Sequence, residues 1–119
     1  MIVNTKNKGA IYDLPYDSSV EISSYITASG PKPINFGKFS NPGQRGYIQV
    51  MKSMEELTVE AAVTGDYATA LRAFTTNPLG PGTEIARKVL NELLDAHEKY
   101  LPQFKKYFEN REKYQIKQK

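Results

Sequence analysis

The stretch from Met54 to Pro78, MEELTVEAAVTGDYATALRAFTTNP, constrains the chain more than any other. It holds two helix-forming segments separated by Gly65-Asp66, a glycine suited to left-handed backbone at a helix end and an aspartate suited to cap the next helix. Upstream, Tyr47, Val50, Met51, Met54, Leu57, Ala61 and Ala62 recur at intervals of three and four, which predicts one long helix with a single apolar face. That helix starts at Asn41-Pro42, an asparagine cap followed by proline at the first helical position. The second segment, with Ala68, Ala70, Leu71, Ala73 and Phe74, is short and alanine-rich, so it suits close packing. Asn77-Pro78 stops it, because the residue before proline avoids helical backbone.

The flanks are read by the same rules. After the loop Leu79-Gly80-Pro81-Gly82, Thr83 is expected to cap a third helix, with Ile85, Ala86, Val89, Leu90, Leu93, Leu94 and His97 on its apolar side. Pro102 breaks that pattern; Phe104, Tyr107 and Phe108 are expected to dock a final turn, with fraying beyond them. Near the start, Asn4 to Gly9 reads as a polar turn, with Gly9 at a positive φ. Val20 to Thr27 alternates as a half-buried strand, placing Val20, Ile22 and Ile26 on one side. Ala28 to Pro31 reads as a turn and Pro33 to Phe36 as the returning edge strand. The expected class is α+β: short antiparallel strands or a hairpin in the N-terminal third, packed on a bundle of about three to four helices.

Length and charge narrow the setting. A chain of 119 residues predicts one domain. With no cysteine there is no disulfide and no thiolate ligand or nucleophile. No apolar run approaches the ~18 residues that span a bilayer, and no secretory apolar core follows Met1, so the expected location is cytoplasmic and no membrane partner is expected. The basic pI of about 9.0 comes from one place. Residues 105–119 hold six basic and two acidic side chains, a net +4 that leaves residues 1–104 at −1. That distribution describes a solvated basic tail at 105–119 beyond a folded domain at 1–104, and no nucleic-acid partner is expected.

Candidate chemistry is sparse. His97 is the single histidine, so no histidine-based metal cluster can assemble, and its helical position suits a structural role. Gly80-Pro81-Gly82 opens a helix as a phosphate-binding loop would, yet no strand precedes it and Pro81 removes a donor. Glu55, Glu56 and Glu60 share helical spacing, but no partner of opposed environment makes an acid and base of them. No catalytic, cofactor-binding or metal residue is therefore assigned. Arg45, close to the start of the long helix, is a lone cation that suits either a surface salt bridge or an anionic ligand. Gly65, Tyr67, Ala70 and Phe74 have the spacing of the second helix of a tetratricopeptide repeat, but nothing recurs at about 34 residues. They leave open an alternative: a small helical interaction module, with a groove around Tyr67, Ala70 and Phe74.

Three blocks together carry a resemblance: VNTKNKGAI through Leu14-Pro15 and Val20-Glu21, then ELTVEAAVTGDYATAL, then NELLDAHEKYLPQF. In order and spacing across residues 1–104, they resemble the C-terminal region of the family-four glycoside hydrolases, especially the 6-phospho-β-glucosidase branch. The resemblance makes 1–104 a glycosidase C-terminal α+β domain. It implies hydrolysis of O-glycosidic bonds in phosphorylated disaccharides, an unusual reaction using NAD and a divalent metal, commonly manganese. In that family, hydride abstraction at sugar C3 acidifies the C2 proton, a tyrosine base removes it, and elimination precedes water addition and hydride return. The glycine-rich dinucleotide fold, the metal-binding cysteine and histidine, and the base tyrosine are not among the matched residues. The chain is accordingly expected to lack the N-terminal NAD-binding half, to hold neither NAD nor manganese by itself, and to be inactive alone. Its expected partner is that half or a second copy, with phosphorylated sugar bound only in the full enzyme. Asn4, Asn7 and Arg45 are the candidates for facing the sugar pocket. The residues leave α- versus β-linkage and the aglycone open.

Overall fold

The computed structural model describes residues 1–115, and the chain divides into two compact units, Met1–Lys52 and Ser53–Lys119. In the first unit, β1 (Ile2–Lys6), β2 (Ser19–Thr27) and β3 (Gly30–Pro33) form an antiparallel sheet in the order β1-β2-β3. The polar stretch expected as a turn from Asn4 is therefore strand as far as Lys6, pairing with Ser19 across β2. The hairpin is also tighter than expected. Thr27 pairs with Gly30, so only Ala28-Ser29 turn the chain, and β3 begins at Gly30 instead of Pro33. Gly30 at φ 97° permits this early reversal, and the Thr27 hydroxyl bridges Ser29 and the Gly30 carbonyl.

β2 buries alternate residues, Val20, Ile22 and Ser24, but Ile26 is 55% exposed because the strand outruns its cover. Ala10, Ile11, Leu14, Val20 and Ile22 form the first core, with Phe39 and Ile48 packed against it. Burial of each large aliphatic side chain there contributes roughly 1.5–3 kcal/mol.

The long helix, α1 (Pro42–Thr64), contains the division between units. Its cap is as the sequence indicates: Asn41 Oδ1 accepts from the Gly43 and Gln44 amides at 2.8 and 3.2 Å. The apolar face is less covered than its periodicity suggests. Ala61 alone is buried along α1, Met51, Met54 and Leu57 are half-buried, and Tyr47 and Val50 are exposed.

In the second unit, Gly65 (φ 69°) ends α1, and a Cβ there would overlap the Gln103 carbonyl. Asp66 Oδ2 accepts from the Thr69 amide at 2.7 Å and caps α2 (Tyr67–Thr76). In α3 (Thr83–Ala96) Gly82 occupies the cap position without a side-chain bond, and Thr83 is the first helical residue instead of the cap. The buried line is narrower than expected: Ala86, Leu90 and Leu94 are covered, while Ile85 and Leu93 are exposed. His97 lies past the helix end, exposed, with Nδ1 2.8 Å from the Leu93 carbonyl oxygen.

Turns of 3-10 helix at Glu98–Tyr100 and Pro102–Phe104 lead into α4 (Lys105–Phe108) and a last turn at Arg111–Lys113. Ala61, Tyr67, Ala70, Leu90, Leu94, Phe104 and Tyr107 form the second core. The expected fraying past Phe108 is not observed through Gln115, because Tyr114 packs on that core. Ile116 to Lys119, the end of the expected basic tail, lie outside the described residues.

Candidate functional site

Polar groups of the first unit converge at the loop after β1. Asn7 is fully buried, and its amide organises the loop. Its Oδ1 accepts from the Ile11 amide at 2.8 Å, and its Nδ2 faces the Ile11, Leu14 and Pro15 carbonyls at 2.9, 3.0 and 3.0 Å. Held this way, Lys8 takes a left-handed backbone at φ 49° and Gly9 follows at φ 80°. A concavity of about 290 Å³ lies beside this loop, bordered by Asn7, Lys8, Gly9, Tyr12, Pro33 and Asn35. Asn35 Nδ2 donates to the Tyr12 hydroxyl at 2.9 Å, joining two of its walls.

Of the three residues expected to be near substrate, the structure brings only Asn7 to this concavity. Asn4 is exposed on β1 opposite Glu21, and Arg45 is exposed in the first turn of α1; neither lines the concavity. Lys8, Tyr12 and Asn35 were not singled out by the sequence. The Asn-Lys-Gly turn signal was present for Lys8, whereas Asn35 reaches the site only through a contact 23 residues away. The ammonium, amide and phenol can hold an anion or a hydroxylated ligand by hydrogen bonds, and they form no acid–base pair.

The second unit contains an apolar cavity of about 500 Å³ floored by Ala61, Ala70 and Ala73 and walled by Phe74, Leu79 and Leu101. Tyr67 lies elsewhere, stacked on Tyr107 at 5.4 Å between ring centroids. Tyr67 and Ala70 are buried in the unit's own core, so of the groove expected for a repeat-type interaction module only Ala70 and Phe74 border this cavity, and Tyr67 does not. The tyrosine hydroxyls are spoken for. That of Tyr67 donates to Asn91 Oδ1 at 2.7 Å, and that of Tyr107 lies 3.3 Å from Asp95 Oδ1. Burial pushes Tyr107 up to about 12, with the Asp95 charge acting in the same direction, and burial also raises Tyr67. Both stay neutral phenols near neutral pH and offer no phenolate base. Arg111 pairs with Glu98 and lies 3.3 Å from Asp95 Oδ1, and the hydrogen bond to Glu98 raises its pKa.

Residues 1–80 match the family 4 glycosyl hydrolase C-terminal domain. This chain belongs to that family. A probable 6-phospho-β-glucosidase of Bacillus subtilis is 52% identical over 102 residues, which are 86% of this chain and 23% of that protein. A 6-phospho-α-glucosidase from gut microorganisms, solved with NAD and glucose 6-phosphate, superposes with a TM-score of 0.80 at 36% identity. That match covers 86% of this chain and 23% of the relative. The Thermotoga maritima 6-phospho-β-glucosidase, solved with manganese, NAD+ and glucose 6-phosphate, gives a TM-score of 0.74 at 36% identity, covering 85% of this chain and 25% of its own. The chain thus spans about a quarter of the length of the relatives it matches.

Among the described residues, no cluster of three or more His, Cys, Asp or Glu side chains is placed to hold a metal ion. The Gly80-Pro81-Gly82 loop joins two helices, not a strand to a helix, and a Cβ on Gly80 would press on the Phe74 and Asn77 carbonyls. It is a packing turn and does not form an open cradle for a dinucleotide. Among the described residues, no helix is long and apolar enough to cross a membrane.

Proposed function

We propose that this chain acts as the C-terminal domain of an NAD- and manganese-dependent 6-phospho-β-glucosidase and is inactive without the remainder of such an enzyme. The reading rests on the 52% identity to the Bacillus subtilis relative, against 36% for the α-glucosidase of nearly equal coverage. The Thermotoga maritima β-glucosidase is 36% identical, the same as that α-glucosidase, so the β-linked reading rests on the Bacillus subtilis relative alone. Within this reading the domain supplies shape and polar contacts, while hydride, metal and proton chemistry belong to residues elsewhere in the enzyme. Asn7 shapes the wall beside Lys8. Asn4 and Arg45 are exposed polar side chains available to a phosphorylated sugar. A cytoplasmic setting suits an enzyme acting on phosphorylated disaccharides.

The test is a graft. The chain replaces the corresponding C-terminal residues of the Bacillus subtilis protein, and turnover of nitrophenyl 6-phospho-α- and β-glucosides is measured with NAD and manganese. The graft is expected to hydrolyse the β-glucoside preferentially, and the 119-residue chain alone is expected to hydrolyse neither. A folded graft preferring the α-glucoside, or turnover by the chain alone, contradicts the proposal.

A further inference from the structure

The two edges of the sheet differ in a way that specifies a partner. Asn7 donates to the Ser18 carbonyl and Ser24 donates to the Met1 carbonyl, at 2.8 and 2.7 Å. With Val3 opposite Ile22 and Thr5 opposite Val20, the alternation of an antiparallel ladder assigns the odd residues of β1 to its bonds with β2. The N–H and C=O groups of Ile2, Asn4 and Lys6 therefore point away from the sheet. At the opposite edge the Ile34 amide donates to the Ser23 carbonyl, so Gly30, Lys32 and Ile34 face β2. The outward positions of β3 are then Pro31 and Pro33, which have no N–H to offer. One edge is closed by two prolines at the two positions where donors would be dangerous. The other is a strand without proline, and among the described residues no main-chain group pairs with its outward donors.

Unpaired main-chain groups in a straight edge call for another extended strand. We infer that β1 pairs antiparallel with β1 of a second copy of this chain, across a two-fold axis at Asn4, joining two three-stranded sheets into one. The outward residues match in that register: Asn4 faces its own symmetry mate, and Ile2 faces Lys6 of the second copy. Each such pair exchanges two main-chain hydrogen bonds. No like charges lie opposite one another. Ile2 is 66% exposed, and the aliphatic stem of the facing lysine covers it. Lys6 already pairs with Asp17 at 3.4 Å, so its ammonium has a counter-charge within its own copy. Because Asn4 is self-opposed, the pairing closes at two copies. A strand junction alone buries less than the roughly 1,200 Å² of a stable complex, so association is weak and concentration-dependent.

Sedimentation velocity on the full chain from ~10 µM to ~1 mM, the range for a small interface, reads this directly. The sedimentation coefficient is expected to rise with concentration. In parallel, the amides of Ile2, Asn4 and Lys6 gain exchange protection, while those of Val3 and Thr5 are protected at every concentration. Asn4→Pro removes an outward donor that β2 does not use, and it is expected to abolish the concentration dependence with the Val3 and Thr5 amides still protected. Asn4→Asp and Asn4→Lys each oppose like charges at the axis and are expected to weaken association about tenfold, whereas mixing them restores it. A monomer throughout, unprotected outward amides, or association indifferent to the two charge variants and their mixture overturns the inference. Each of these results is independent of glycosidase activity, so the proposed function stands or falls separately.

Discussion

In the first unit the most deeply buried polar side chain is one amide, Asn7, whose side-chain bonds reach no further than Pro15. In the second the buried hydroxyls of Tyr67 and Tyr107 reach Asn91 and Asp95, residues 24 and 12 positions away. One core is an aliphatic layer on a locally closed loop; the other is a group of aromatic rings drawn from distant helices and turns. Tyr107 and Tyr114 lie 5.3 Å apart, and Tyr114 lies 4.3 Å from Tyr67. The Asn91 side chain links the Tyr67 hydroxyl to the Tyr114 carbonyl at 3.1 Å. A loop of the first kind can form before the rest of its unit, since closing a short loop costs little entropy. The second kind exists only when α2, α3 and the C-terminal turns are assembled.

The comparison breaks most visibly at Tyr107. Tyr107→Ala opens a cavity beneath the stacked rings and is expected to destabilise the second unit by about 4 kcal/mol, measured by denaturant unfolding. The milder Tyr107→Phe keeps the stack and removes a titrating group. A phenol raised to about 12 in the folded state contributes stability that is fully present below its ordinary value of about 10. That stability is lost as pH rises from about 10 through about 12. The parent chain is expected to lose near-ultraviolet tyrosine dichroism over that window, and Tyr107→Phe to lose less of it.

At Asn7 the expected effect is somewhat smaller and entirely polar. Asn7→Ala leaves the Ile11 amide and the Leu14 carbonyl without a partner in a buried site, while the Ile11 and Pro15 carbonyls keep the Leu14 and Ser18 donors, a cost of about 3 kcal/mol. Exchange of the Ile11 amide should accelerate before any change is seen at Tyr67. Equal acceleration in both units would show that the two cores unfold together.

The smallest effect is at the α2 cap. The hydrogen bond from Thr69 holds the Asp66 carboxyl below its ordinary value. A depressed carboxylate contributes stability above its unfolded pKa, and that contribution disappears as pH falls through the folded value. Asp66→Ala is expected to cost about 1 kcal/mol at neutral pH. The difference from the parent chain should shrink in acid, read from thermal melts at pH 7 and at about pH 2.

Local signals were legible without the structure. Asn41-Pro42, Gly65-Asp66 and Asn77-Pro78 start and stop helices through bonds and sterics that span a few residues, and all three act as their chemistry requires. The three sequence blocks carried the family resemblance. The concavity beside Lys8 was only half legible: the turn could be read, but Asn35 arrives from a segment whose path depends on the sheet.

The hinge from Met54 to Pro78 was specified by sequence, because capping, helix periodicity and the ban on helical backbone before proline are properties of neighbouring residues. Which apolar residues it covers was decided by tertiary structure. Val50 keeps an exposed surface although it shares the helical spacing of Ala61, while Tyr114 packs on a core from a stretch that reads as polar. The sheet edges divide in the same way. Pro31 and Pro33 are plain in the sequence, but only the register with β2 turns them outward and leaves Asn4 free. Burial and pairing depend on which distant segment arrives, and local chemistry fixes only how each segment is prepared to meet it.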